Sequence, residues 1–304
     1  MQQQNKTVIV IAGPTAVGKT SAAIGVASYF GTEIISADSR QCFKELNIGV
    51  ARPSENELAT VPHYFIASHS IQQKVTAVTF EEYALAKAAA LFQKNNVVIM
   101  VGGTGLYIKA FCDGLDEIPE VPLELHNEIV SVYNEKGLLW LQEEVKKLDM
   151  EFWKNGEVHN PQRLMRAMEV MRATGKSILS FRKGLKKRRD FNIIKVALEL
   201  PKETLHNNIN HRVDKMVEEG LPEEVRSLLP YQHLNALQTV GYKELFQWHN
   251  KEASLAEAVE AIKQNTRRYA KRQLTWFRKD KGYTWSYPAA EQIVQAVKAK
   301  AVEF

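Results

Sequence analysis

Cysteine is nearly missing from these 304 residues. Only Cys42 and Cys112 occur, in no CxxC or other metal-ligand spacing, so neither a disulfide framework nor a structural zinc is expected and a reducing compartment fits. Long apolar runs are missing too. With a mean hydropathy of −0.30 and 25% charged residues, the chain has no membrane-embedded character, and a cytoplasmic protein without a membrane partner is expected. No secretory leader is read before Thr7, because the apolar run Val8 to Ala12 is short and passes directly into a glycine-containing loop. Internal repeats and low-complexity stretches are also lacking. What remains is an ordinary globular composition, 45% hydrophobic with 16 Gly and 10 Pro, and a length that allows two domains.

Acid is absent from two windows. Residues 176–189 hold seven Lys or Arg and residues 266–279 hold six, although the whole chain carries only +5. Even spreading would put about four basic residues in those positions together. The clustering points to a polyanionic partner, the alternative being two solvated basic faces.

Four β-branched apolar runs read as buried strands: Thr7 to Ala12, Glu33 to Ala37, Val97 to Val101 and Ile193 to Leu200. Helical patterns separate the first three, which predicts an α/β core with a parallel sheet and ligands at the strands' carboxyl ends. The stretch of about 115–190 reads as a helical insertion, dividing the chain into 1–114, 115–190 and 191–304. Within it, Asn160 as N-cap, Pro161 at N1, an apolar stripe of Leu164, Met168 and Met171, and Gly175 as stop define one helix, with Arg163 and Arg166 beside the stripe. After the fourth strand the pattern is helical to the end. Leu205, Ile209, Met216 and Val217 follow helical spacing with Arg212 at the stripe's edge. Ser254 and Glu257 form a capping box opening a long helix whose buried side reads Leu255, Val259, Ile262, Thr266, Tyr269, Gln273 and Trp276, with Arg268, Lys271, Arg272 and Lys279 on another face.

Gly13-Pro14-Thr15-Ala16-Val17-Gly18-Lys19-Thr20 is a complete GxxxxGK[ST] phosphate loop between a strand and a helix. Its glycines let backbone N–H groups turn onto phosphate oxygens, the helix N-terminus adds positive potential, Lys19 a point charge and Thr20 a hydroxyl for Mg²⁺. The third strand ends Val101-Gly102-Gly103-Thr104-Gly105, with no carboxylate where an NTP hydrolase holds its Walker-B Asp. A carboxylate instead follows the second strand, in Asp38-Ser39-Arg40-Gln41. Asp38 is open to three roles: metal ligand, general base or helix cap. The Gly102-Gly103-Thr104 segment is open to two: a plain strand-to-helix turn, or a close backbone approach to a ligand.

Taken with Arg52-Pro53, Val61-Pro62-His63, Gly102-Gly103-Thr104-Gly105-Leu106-Tyr107, Asn160-Pro161-Gln162-Arg163, Arg212-Val213-Asp214, Val240-Gly241-Tyr242 and Ala270-Lys271-Arg272-Gln273, these stretches resemble the tRNA dimethylallyltransferases, or tRNA isopentenyltransferases, along essentially the whole chain. The resemblance implies a P-loop NTPase-like core with a helical insertion and a helical C-terminal segment. It implies transfer of a dimethylallyl group from dimethylallyl diphosphate to N6 of the adenosine 3′ of the tRNA anticodon, by a monomer using Mg²⁺. In that picture Asp38 takes the amine proton, Thr15 and Thr104 bond the substrates, and Lys19, the loop amides, Thr20 with Mg²⁺, and Arg212 hold the diphosphate. Asp38, Ser39, Arg40 and Gln41 meet the target base, and Gln162, Arg163, Leu164, Met165 and Arg166 meet the anticodon stem-loop. ATP is a second candidate occupant of the loop, and an ATP-dependent small-molecule kinase is the rival activity. A non-catalytic RNA-binding module would need the loop to be vestigial. Two positions depart from the family pattern: Asn160 replaces a usual Asp, and Asn208 stands where an arginine often precedes Arg212. No cysteine follows Cys112, so the zinc finger of longer members is not expected and the likeness is to the shorter, bacterial type.

Overall fold

The computed structural model describes residues 6–301. They fall into two compact units: one contains the described residues up to Cys112 and those from Arg188 onward, the other is Asp113–Lys187. In the first unit six strands form one sheet: β1 (Thr7–Ala12), β2 (Ile34–Ser36), β3 (His63–Tyr64), β4 (Val97–Gly102), β5 (Asn192–Leu198) and β6 (Tyr283–Ser286). Their order is β3-β2-β4-β1-β5-β6 and every pairing is parallel.

Alternation along β1 builds both faces of this sheet. Val8, Val10 and Ala12 point into one core, with Phe80 and Ala84 of the helix Ala77–Leu91 and Phe111 of the helix Gly105–Asp113. Ile9 and Ile11 point into the other, against Ala23, Val26 and Ala27 of the helix Lys19–Phe30 and Ile293 and Val297 of the helix Ala290–Ala301. A central strand buried on both sides has no use for polar residues, and β1 has only Thr7.

Two strands escape the apolar-run reading, and the expectation of helix to the chain's end is overturned by β6. Both are edge strands. β3 has two residues and all four residues of β6 are half-buried, so neither carries a buried run. In addition β4 lies between β2 and β1, so the second strand is not the first one's neighbour.

The unit Asp113–Lys187 has its own core, including Ile129, Leu141, Val145, Phe152, Leu164 and Met168. Its helix Leu123–Leu148 is broken at Gly137, where φ is 74° and ψ −169°. The helix Pro161–Thr174 starts and stops as its sequence predicts: Asn160 Oδ1 accepts from Arg163 N at 3.3 Å and Gly175 turns left-handed at φ 69°.

Candidate active site

The phosphate loop sits at the carboxyl end of β1. Gly18 takes φ 94° and Ala16, with a side chain, is held at φ 61°, an arrangement that costs on the order of 1 kcal/mol. Lys19 Nζ donates to the Pro14 carbonyl at 2.7 Å. From the helix Lys202–Glu218, Asn208 donates to the Ala16 carbonyl at 3.3 Å and Arg212 Nη1 donates to Thr15 Oγ1 at 3.1 Å. The position at which Asn208 departs from the family pattern therefore lies at the loop itself.

Asp38 follows β2. Its Oδ1 accepts from Arg40 N at 2.8 Å and Gln41 N at 3.2 Å, and the residues it holds form a turn, not a helix, so it is no helix cap. Its Oδ2 accepts no hydrogen bond from the described residues. Thr104, after β4, bridges to this turn: its Oγ1 accepts from Ser39 N at 3.0 Å, and its N–H donates to the Ala37 carbonyl at 3.2 Å. A Cβ on Gly102 would overlap the Ala37 carbonyl, and one on Gly103 the Gln273 amide. These glycines thus give room to the protein's own backbone and to Gln273, and the close approach is internal.

Gln273, which sequence reasoning placed on a buried stripe without a role, ties the site together. It lies on the helix Leu255–Lys279, accepts from Thr15 N at 2.9 Å through Oε1, and donates to the Gly103 carbonyl at 2.9 Å through Nε2. The loop after β1 and the loop after β4 are thereby fixed by one amide. The same helix corrects the predicted stripe. Ala258, Ile262, Ala270, Gln273 and Phe277 are buried, whereas Tyr269 and Trp276 are 37% and 39% exposed.

Charge gathers here. Burial and the nearby Arg212 push the Lys19 ammonium down to about 7, the Asp38 carboxylate opposing them. Arg212 is also lowered by burial. Lys19 and Arg212 face one cavity together with Asp38, and Arg52, Lys215, Glu55, Glu57 and Glu219 line the same cavity.

Two cavities border these groups. One, of about 1100 Å³, is lined by Lys19, Thr20, Ser36, Arg52 and Lys215 among others. The second, of about 670 Å³, includes Ser39, Arg40, Thr239, Asn265 and Arg272. Thr15, Asp38 and Arg212 line both.

The irregular segment 40–52 walls both cavities, and side chains supply the partners that regular structure would give its backbone. Glu224 accepts from Asn47 N, Ile48 N and Gly49 N at 3.1, 2.8 and 3.1 Å and from the Tyr242 hydroxyl at 2.6 Å. Arg52 donates to the carbonyls of Phe43, Lys44 and Leu46, and Gln41 to those of Val50 and Ala51. Gln41 is therefore committed to the wall, so its amide is not free to read a base. Glu224→Ala leaves four donors without their acceptor and is expected to cost roughly 2 kcal/mol or more in urea unfolding, with an unchanged denaturant slope. A loss below about 0.5 kcal/mol would show that water replaces the carboxylate.

In the second unit, the segment expected to meet RNA divides. Leu164 is 0% and Met165 4% exposed, so both side chains belong to that unit's core, because they occupy the buried side of the helix Pro161–Thr174. Gln162 and Arg163 are exposed. Arg163 pairs with Glu157, and Arg166 donates to Glu169 at 3.1 Å. The basic windows also shrink: Arg189 is enclosed by Glu81 at 2.7 Å and the carbonyls of Phe111 and Ala110, and Arg267 donates to Asn210 at 2.6 Å. Arg268, Lys271 and Arg272 remain exposed.

A parallel sheet with a strand–phosphate loop–helix unit at its centre, and an acid after β2, one strand removed from β1, defines a P-loop α/β protein. The family model described as IPP transferase matches residues 41–280, and the chain belongs to that family. It is 49% identical over 277 residues to the tRNA dimethylallyltransferase of Christiangramia forsetii, covering 91% of this chain and 92% of that protein. The tRNA dimethylallyltransferase of Cytophaga hutchinsonii is 44% identical over 300 residues, covering 98% and 99%. Among solved structures, a tRNA isopentenylpyrophosphate transferase from Staphylococcus epidermidis superimposes with a TM-score of 0.69 at 30% identity over 98% of this chain and 99% of that one. A eukaryotic dimethylallyltransferase shares the fold, with a TM-score of 0.75 at 24% identity, 98% of this chain and 78% of that one being covered.

Proposed function

We propose that this protein transfers the dimethylallyl group of dimethylallyl diphosphate to the exocyclic N6 of the adenosine 3′ of the anticodon in tRNA, as a cytoplasmic monomer. The observation that carries the reading is the junction of two cavities at Thr15, Asp38 and Arg212, with Ala16, Gly18, Lys19 and Thr20 of the phosphate loop lining one of them only. A diphosphate held by the loop and a base entering from the other cavity then meet at the carboxylate. N6 attacks the allylic carbon, the carbon–oxygen bond breaks, and its electron pair leaves with the diphosphate. The proton lost by N6 goes to Asp38 Oδ2. Lys19, the loop amides and Arg212 stabilise the charge that grows on the leaving group. Thr104 lines neither cavity and acts on the base side through Ser39, whose N–H its hydroxyl oxygen accepts.

No cluster of three or more His, Cys, Asp or Glu suited to a metal ion occurs among the described residues. Thr20 and Ser36 hydroxyls and the Asp38 carboxylate nonetheless line the loop cavity, a sparse set of hard oxygens that fits a Mg²⁺ keeping its waters and sharing the diphosphate. When bound, that ion would supply further neutralisation of the leaving group, with Thr20 as its protein ligand. Among the described residues no helix is long and apolar enough to cross a membrane.

The deciding experiment offers unmodified anticodon stem-loop with allyl-labelled dimethylallyl diphosphate or γ-labelled ATP. Allyl label should enter the RNA; γ-phosphate appearing in a small molecule would install the kinase reading instead. The unit Asp113–Lys187 is assigned to the stem-loop. Arg163, 51% exposed at its side chain, should on replacement by Ala weaken stem-loop binding and flatten its dependence on salt by at most about one unit of log–log slope. Parallel salt curves for parent and variant in fluorescence anisotropy would remove Arg163 from the contact.

A further inference from the structure

The residues common to both cavities divide by chemistry. Thr15, Asp38 and Arg212 are polar; Val50, Ala51 and Met216 are apolar; Tyr269 completes the set. A group passing from a diphosphate in one cavity to an amine entering from the other must have its reacting carbon at this neck. Its hydrocarbon tail then needs an apolar surface there, and burying it against polar groups would strip them of hydration without return.

We propose that Val50, Ala51 and Met216 seat the allyl chain and fix its length at five carbons. The inference rests on the transferase reading and adds to it the residues that choose the donor. Two of the three cannot give way. The carbonyls of Val50 and Ala51 accept from Gln41 Nε2 at 3.2 and 2.9 Å, Ala51 is held left-handed at φ 47°, and the amides just before them are gripped by Glu224. Met216 differs. It stands one turn after Arg212 on the helix Lys202–Glu218, half-buried, with an unbranched thioether that can repack. The fixed wall therefore sets the near end of the seat and Met216 its depth.

The test measures single-turnover transfer to unmodified stem-loop from dimethylallyl and from geranyl diphosphate, which adds five carbons, for the parent, Met216→Ala and Val50→Phe. Binding of inorganic diphosphate checks that each variant is folded. Met216→Ala should raise the geranyl-to-dimethylallyl rate ratio about tenfold or more, the range for a few methylenes in an apolar pocket. Val50→Phe should slow dimethylallyl transfer by a similar factor while inorganic diphosphate binds as in the parent. With an active parent, a ratio within about twofold of the parent's in Met216→Ala, or full dimethylallyl transfer by Val50→Phe, overturns the chain-length assignment alone. A parent that transfers no allyl group to RNA overturns the transferase reading beneath it.

Discussion

Asp38→Asn is expected to lower the single-turnover rate of transfer by about 10²-fold or more, the range for loss of a general base, with stem-loop affinity nearly intact. The substitution suits the geometry because the turn hangs on Oδ1, which accepts from Arg40 and Gln41 amides. An asparagine oxygen keeps both bonds, so the backbone survives, while the other carboxylate oxygen loses its charge and its capacity to take a proton. The carboxylate also supports the Lys19 ammonium, so the variant should hold Lys19 protonated less well in the free protein. Rapid-quench kinetics at saturating stem-loop separate the chemical step from binding. A rate equal to the parent's would reduce Asp38 to a turn-forming residue.

The phosphate loop was legible because its function lies in local backbone geometry, and glycine, Lys19 and Thr20 at fixed spacing announce that geometry directly. Helix caps were legible for the same reason: Ser254 and Glu257 bond as their spacing says. What sequence could not show was adjacency across the sheet. Asp38 reaches the loop's neighbourhood across β4, a consequence of strand order. Gln273 reaches Thr15 from 258 residues away, and its one signal was a polar side chain on an apolar stripe. Periodicity also over-read that stripe, because the helix turns a cavity wall as well as a core, and Tyr269 lines the cavities. Leu164, already on the predicted stripe, and Met165, which was not, are both buried in their unit's core, so their side chains do not face solvent as the expected RNA contacts would. Edge strands β3 and β6 were invisible for lack of a buried run.

Lys19→Ala should lower kcat/KM for dimethylallyl diphosphate by about 10²- to 10³-fold, the range for removing one preorganised partner of developing charge, while stem-loop affinity changes little. Equal losses toward both substrates would dissolve the assignment of Lys19 to the leaving group. Its pH behaviour gives an independent reading. Burial and Arg212 push the free ammonium down to about 7, and a bound diphosphate restores the favourable partner that burial removed. Above pH 7 the free lysine is increasingly neutral, so binding must take up a proton and affinity falls as pH rises, by up to about tenfold per unit. The same depression links to folding with a definite sign. Between about 7 and the ordinary 10.5 the unfolded lysine carries a proton that the folded one has lost, so the Lys19 contribution to the stability of the free protein increases with pH across that window. Diphosphate itself ionises over part of this range, and Lys19→Arg supplies the reference because a guanidinium stays charged throughout. Isothermal titration of inorganic diphosphate in two buffers of different ionisation enthalpy should reveal proton uptake above pH 7 in the parent in excess of that in the Lys19→Arg variant. Identical uptake in the two proteins would mean that Lys19 enters the complex already charged, and that burial and the repulsion of Arg212 do not neutralise it in the free protein.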